Sequence, residues 1–286
     1  MKEKILIFGR TGWLAKRFNE FFENSEISDV DITDLKAVRR ELKKKGPDVV
    51  INAAGRTGRP NIDWCEEHRK ETATSNIVGP LILSEACKER RIYWIHLGSG
   101  CIFQGNGPNG KGFKETNKSE PPSFYAETKA WADEILKARN SSVLILRLRM
   151  PVDNRLHPRN LIDKLAGYGY VIDSQNSITV VPDFLEVTKQ LMEKRRLGIY
   201  HVVNPGTISP SEIMELYKKE VNPKHKEFIV ISNERLHGLT LVKARRSNCT
   251  LNTDKLQRER IKLKPVKERI VELLREYKVN LGLGSF

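Results

Sequence analysis

Short, unbroken apolar blocks punctuate the first half of the chain: KILIF at 4–8, DVVINAA at 48–54, YWIHLGS at 93–99 and VLILRLR at 143–149. Blocks of this length, closed off by Gly, Pro or charged residues, predict buried strands. After the first block, Leu14, Phe18, Phe21 and Phe22 recur at helical spacing, and further helices are predicted over 34–45, about 71–90 and 123–138. Strands that are apolar throughout and alternate with helices belong to a parallel sheet covered on both faces, so the expected fold class is α/β with a doubly wound parallel sheet. Beyond Met150 the alternation loosens into helices near 160–166, 182–195, 209–220 and 266–277 around one strand at 199–204. Residues 1–150 are therefore expected to form the main domain, and residues 151–286 a smaller region interleaved with its core.

A stretch rich in Gly, Pro, Asn and Lys, from Gln104 to Pro122, reads as a mobile loop directly after a strand, the place where ligand-facing loops belong. A length of 286 residues leaves room for a sizeable core. No apolar run approaches the roughly 18 residues that cross a bilayer, and the first residues pass straight into a strand with no long apolar leader. A cytoplasmic protein without membrane contact is expected. Four scattered cysteines (Cys65, Cys87, Cys101, Cys249) suggest neither a disulfide framework nor a zinc site, and the six histidines form no spaced cluster, so no metal is expected. The net charge of +14 is compatible with nucleic acid, an anionic surface or a phosphorylated ligand. No aromatic residues interleave the basic ones as a stacking platform requires, so a solvated basic surface is expected and nucleic acid is not.

Chemistry enters at the first turn. Gly9, Arg10, Thr11, Gly12, Trp13 and Leu14 lie between the first strand and the first helix, where backbone N–H groups and a helix N-terminus hold a pyrophosphate. The spacing is GxxGxxA rather than GxGxxG; its strand–turn–helix setting is what marks it as a dinucleotide site. Little chain separates the first helix from the next, which places the second strand end at Asp31-Ile32, beside an adenine. No acid is then left for a ribose 2′-hydroxyl, whereas Arg10 can pair with a 2′-phosphate. A Rossmann-like domain that binds NADPH follows, and Asn52-Ala53-Ala54-Gly55 closes the next strand on the same side.

Tyr125 and Lys129 stand four residues apart on a predicted helix and share one face. An ammonium beside a phenol stabilises the phenolate and lowers its pKa, making Tyr125 a proton donor to a carbonyl under reduction. Ser99, at a strand end, can hold the same oxygen.

With these parts together the chain resembles the extended short-chain dehydrogenase/reductase family. HLGSGCIF, GRPNIDWCE, SFYAETKA, LRLRMP and HPRNLIDK resemble more closely the bifunctional nucleotide-sugar 3,5-epimerase/4-reductases of UDP-L-rhamnose synthesis, relatives of the dTDP-4-dehydrorhamnose reductases. The resemblance implies conversion of UDP-4-keto-6-deoxy-D-glucose to UDP-L-rhamnose by a cytoplasmic homodimer. It gives Cys101 and Lys164 the role of proton carriers at the sugar carbons flanking the keto group. On a strand, Ser99 and Cys101 would face the same way. The expected catalytic set is Ser99, Cys101, Tyr125, Lys129 and Lys164. Cofactor contacts are expected from Gly9 to Leu14, Asp31, Ile32, Asn52 to Gly55, Tyr125, Lys129 and Met150; substrate contacts are expected from Trp64, Arg149, Arg159 and Asn160, in a crevice between the two regions. Two alternatives stay open: a 4-keto reductase without epimerase activity, and a non-catalytic NADP-binding regulatory subunit.

Overall fold

In a computed structural model, which describes residues 3–139, 142–239 and 241–283, the apolar blocks become strands. Those strands are β1 (Ile5–Phe8), β2 (Ser25–Ser28), β3 (Val49–Asn52), β4 (Tyr93–Ser99), β5 (Val143–Leu148), β6 (Tyr170–Ile172), β7 (Gly198–His201) and β8 (Ile229–Ile231). Among the described residues they form one six-stranded sheet of order β2-β1-β3-β4-β5-β7 and a separate pair, β6-β8. β1 runs parallel to both β2 and β3, and β3 to β4. This is the α/β architecture with a parallel central sheet that the alternation predicts.

The chain divides into two compact units, neither of them contiguous. The first comprises Met1–Ile102, Pro121–Arg147 and Thr188–Tyr200; the second comprises Phe103–Glu120, Leu148–Val187 and His201–Phe286. In the first, Leu6, Phe8, Val50, Trp94 and Ile145 of the strands pack with Leu42, Leu83 and Leu136 of the helices Leu35–Lys45, Gly79–Glu89 and Phe124–Arg139. Each such side chain, fully buried, contributes roughly 1.5–3 kcal/mol. In the second, Val152, Ile162, Ile208, Ile213, Leu273 and Tyr277 form the core under the helices Leu161–Gly167, Pro210–Glu220 and Val266–Asn280. Ser209 and Glu212 close a capping box at the start of the Pro210 helix.

Two expectations need correction. β2 is the polar run SEIS and stops at Ser28, so Asp31-Ile32 lies beyond the strand end, in the turn leading to the Leu35 helix. As the last strand of its sheet, β2 is held by backbone pairing to β1 and needs no apolar signature. The helix predicted over 71–90 is broken into Arg69–Ala73, one π-helical turn at Thr74–Val78, and Gly79–Glu89. The 104–122 stretch is a loop, as its composition predicts, and part of it is tied to a distant segment: Gly105 bridges to Cys249 and Phe113 to Leu251, with Phe113 stacked on Phe103 at 4.5 Å. No helix among the described residues is long and apolar enough to cross a membrane.

Candidate functional site

Gly9 adopts φ +122°, and a Cβ there would sit 2.8–2.9 Å from the backbone of Ala53 and Ala54. Any side chain would collide with main chain, so the first turn and the Asn52–Gly55 segment meet backbone to backbone only because residue 9 is glycine. Gly12 N–H donates to the Gly9 carbonyl at 2.7 Å, and the helix Trp13–Phe21 then starts with no side-chain cap. Exposed Arg10 and Thr11 flank this cradle, buried Trp13 anchors it and Leu14 is half-buried. Uncapped N–H groups on an open glycine turn suit a phosphate, so the residues fit a dinucleotide.

Asp29 follows β2 directly, and its carboxylate lies 3.7 Å from the Arg10 guanidinium, both well exposed. It stands just past the end of β2, beside the glycine turn. Asp31 instead accepts from the N–H and hydroxyl of Thr33, which hold its carboxyl below the ordinary value, while Ile32 is buried under Gly79.

Ser99 ends β4, and Cys101 lies in the following 3-10 turn, Gly100–Ile102, rather than on the strand. The same-face argument for the pair therefore does not hold. Another link joins them: Cys101 N–H donates to Ser99 Oγ at 3.1 Å, and the Ser99 hydroxyl bonds the Tyr125 phenol. Ser99, Cys101 and Tyr125 are thus gathered at one place. Cys65, buried with its thiol pushed up by that burial, is also close enough to act on Tyr125.

Tyr125 and Lys129 share the face of the Phe124–Arg139 helix that looks toward β4. That helix starts at a fixed point, because Glu66 Oε1 accepts the Phe124 N–H at 2.8 Å. The π-turn supplies a second tie: Asn76 bonds both the N–H and the carbonyl of Arg56 and donates to Thr128 Oγ1 at 3.1 Å. Burial, with Cys101 adding to it, raises the Tyr125 pKa, the opposite of the lowering expected from a neighbouring ammonium; the bond from Ser99 opposes the rise. Lys129 Nζ donates to the Leu97 carbonyl at 2.7 Å and stands 3.3 Å from His96 Nε2. Burial brings Lys129 down to about 8, against the pull of Asp133 one turn away.

Trp64 stacks on His68 at 3.9 Å, with Arg56 over its ring at 5.9 Å. In the second unit, Lys164 is lowered by burial and by the charges of Arg159 and Arg246, a concentration of cations suited to an anion. Arg149 and Asn160 are both buried and bonded to the protein's own groups. The buried Arg149 guanidinium bonds Asn176 and, at 2.6 Å, the Ser247 carbonyl. Asn160 caps the Leu161 helix and bonds Asp153 and Arg155. Met150 is half-buried at φ +41°, a strained conformation for a side chain with a Cβ. Among the described residues no cluster of His, Cys, Asp or Glu is able to hold a metal ion.

Residues 3–279 match the family model described as the RmlD substrate binding domain. The chain belongs to this family. It is 35% identical over 283 residues to a bifunctional dTDP-4-dehydrorhamnose 3,5-epimerase/dTDP-4-dehydrorhamnose reductase of Arabidopsis thaliana, covering 95% of this chain and 92% of the relative. A trifunctional UDP-glucose 4,6-dehydratase/UDP-4-keto-6-deoxy-D-glucose 3,5-epimerase/UDP-4-keto-L-rhamnose-reductase of the same plant is 33% identical over 94% of the chain, which spans 41% of that longer protein. Among solved structures, the UDP-rhamnose synthase of Acanthamoeba polyphaga mimivirus superposes with a TM-score of 0.90 at 31% identity, covering 96% of this chain and all of that one. A Bacillus anthracis dTDP-4-dehydrorhamnose reductase in complex with NADP shares the fold, with a TM-score of 0.81 at 21% identity over 98% of each chain.

Sequence reasoning passed over His96, Asp133 and Asp29. A histidine in the middle of an apolar strand and an acid four residues beyond Lys129 were the signals for the first two; Asp29 was hidden by the misplaced end of β2.

Proposed function

We propose that the chain is a nucleotide-sugar 3,5-epimerase and NADPH-dependent 4-keto reductase that converts UDP-4-keto-6-deoxy-D-glucose to UDP-L-rhamnose. The observation that carries the proposal is the Cys101 thiol standing beside the hydrogen-bonded Ser99–Tyr125 pair. Reduction alone needs the hydroxyl pair and a lysine; a thiol at the same carbonyl supplies a proton carrier for the neighbouring carbons. The names of the Arabidopsis and mimivirus relatives support the same substrate class.

The Gly9–Gly12 cradle holds the dinucleotide phosphates and Arg10 its 2′-phosphate. Bound NADPH supplies the hydride for C4. Ser99 and Tyr125 hydrogen-bond the C4 oxygen, so that negative charge arising there in either half of the reaction meets fixed donors. Protons on C3 and C5, α to the ketone, are acidic enough for a thiolate to remove. Cys101 takes one, the electron pair passes to the C4 oxygen, and a proton returned to the opposite face of the carbon inverts it. Lys164, with its ammonium held below the ordinary range, is the acid assigned to that return. Once both centres are inverted, Tyr125 gives its proton to the C4 oxygen as the hydride arrives, and the burial that raises its pKa keeps that proton in place until then.

Incubation with UDP-4-keto-6-deoxy-D-glucose and NADPH, followed by identification of the nucleotide sugar, tests the proposal. UDP-L-rhamnose is expected, and absence of NADPH consumption overturns it. Cys101→Ser keeps the size but replaces a thiol, whose thiolate is the proton-carrying form, by a hydroxyl that does not ionise near neutrality. Exchange of the C3 and C5 protons with deuterated water should then collapse, while reduction of an already epimerised 4-keto sugar persists. Undiminished exchange in that variant would leave a plain 4-keto reductase.

A further inference from the structure

Behind the Tyr125 site lies a buried row of side chains that the proposed chemistry does not use. Asn52, the last residue of β3, and His96 in β4 are register partners, and both are fully buried. Ala54 N–H donates to Asn52 Oδ1 at 3.0 Å, which fixes the amide and turns its Nδ2 toward His96 Nδ1 at 3.1 Å. An amide nitrogen donates and does not accept, so Nδ1 must offer its lone pair, and the single proton of a neutral imidazole then lies on Nε2. An imidazolium would set N–H against N–H here, and burial together with the charge of Lys129 holds His96 well below its ordinary pKa.

The protonated Nε2 points at Lys129 Nζ, 3.3 Å away. An ammonium carries only donors, whereas an amine has a lone pair to accept. Charged Lys129 therefore opposes His96 donor to donor; uncharged Lys129 completes a hydrogen bond and still donates to the Leu97 carbonyl at 2.7 Å. On the lysine's own helix Tyr125 and Asp133 are the titratable neighbours, and Asp133 favours the ammonium. From β5, Arg147 engages Asp133 at 2.7 Å and spends part of that carboxylate's charge. Cys65 and Cys101 act on Tyr125.

We propose that His96 is a positioning residue: with its proton fixed on Nε2 by Asn52, it favours the amine over the ammonium of Lys129. Lys129 is then a group that changes charge near working pH rather than a permanent cation. The kinetic part of the test rests on the reductase reading above; the spectroscopic part does not.

In full-length protein labelled with [15N]histidine, without substrate, two-bond 1H–15N spectra between about pH 6 and 9 should show His96 neutral with its proton on Nε2, shifting as Lys129 titrates. A proton on Nδ1, or an imidazolium in that range, overturns the proposal. If reduction needs the Lys129 ammonium, kcat should fall on the alkaline side as Lys129 loses its proton, and in His96→Phe, which keeps a ring and removes both nitrogens, that fall should move up by roughly one pH unit as the ammonium loses its opposing donor. A folded His96→Phe whose profile stays at the wild-type position reduces His96 to packing. If His96→Phe does not fold, the wild-type spectra decide alone. Correct spectra without turnover in any form would fault the reductase reading and leave His96 as assigned.

Discussion

Lys129 holds a buried charge below about pH 8, and that charge works against folding. Its pKa is about 8 in the folded protein and 10.5 in an unfolded chain, so between these values the unfolded chain binds more protons and stability rises with pH. Lys129→Met removes the penalty and also the donor to Leu97. A gain of about 1–3 kcal/mol is expected at pH 7, vanishing near pH 10.5, alongside loss of reduction. Urea unfolding of both proteins at the two pH values measures it, and a variant less stable at pH 7 would show that the ammonium is well accommodated. Arg10 and Asp29 set up a second comparison. Arg10→Ala should weaken NADPH more than NADH, since only NADPH carries the phosphate that the guanidinium meets, and removing Asp29's cationic neighbour leaves that carboxylate facing the phosphate. Fluorescence titration with each cofactor decides; equal losses would make Arg10 a general turn residue.

The elements differ in how far sequence alone reveals them. β1, β3, β4 and β5 announce themselves as apolar blocks because they are buried on both faces. β2 is silent because an edge strand is defined by a neighbour's backbone, and β6 and β8 have three residues each. The 104–122 segment is legible as a loop from its composition, but its partners at 248–252 are not, since they lie far along the chain. Gly112 is the tightest point of that pairing: at φ +77° its Cβ would stand 2.9 Å from the backbone of Leu251 and Asn252, whereas Gly110, at φ +69°, faces open space. Gly110→Ala should cost only the left-handed strain of roughly 1–2 kcal/mol, and Gly112→Ala clearly more, read as urea midpoints. Equal losses would mean that the pairing yields easily. The site follows the same rule. Tyr125, Lys129 and Ser99 are legible through helical spacing and strand position, while the partners that tune them come from β3, β4 and the π-turn and emerge only with the fold.

At the scale of the molecule, the sheet is finished by a strand that arrives late. β7 borders β5 and its Ile199 belongs to the first unit's core, yet it lies after a long excursion of the chain into the second unit. A fragment ending at residue 150 would leave the apolar β5 as an open edge, so it is expected to aggregate in size-exclusion chromatography. A monomeric fragment that still binds NADPH would show β7 to be dispensable. The same late strand bears on birth at the ribosome. Between Arg147 and Tyr200 roughly 50 residues must be added, which at about 5–20 residues per second takes roughly 3–10 s. For that interval the nascent chain displays an almost complete sheet with one unpaired apolar edge. Slower codons across 148–197 would prolong the exposure and speed the protein's capture by chaperones.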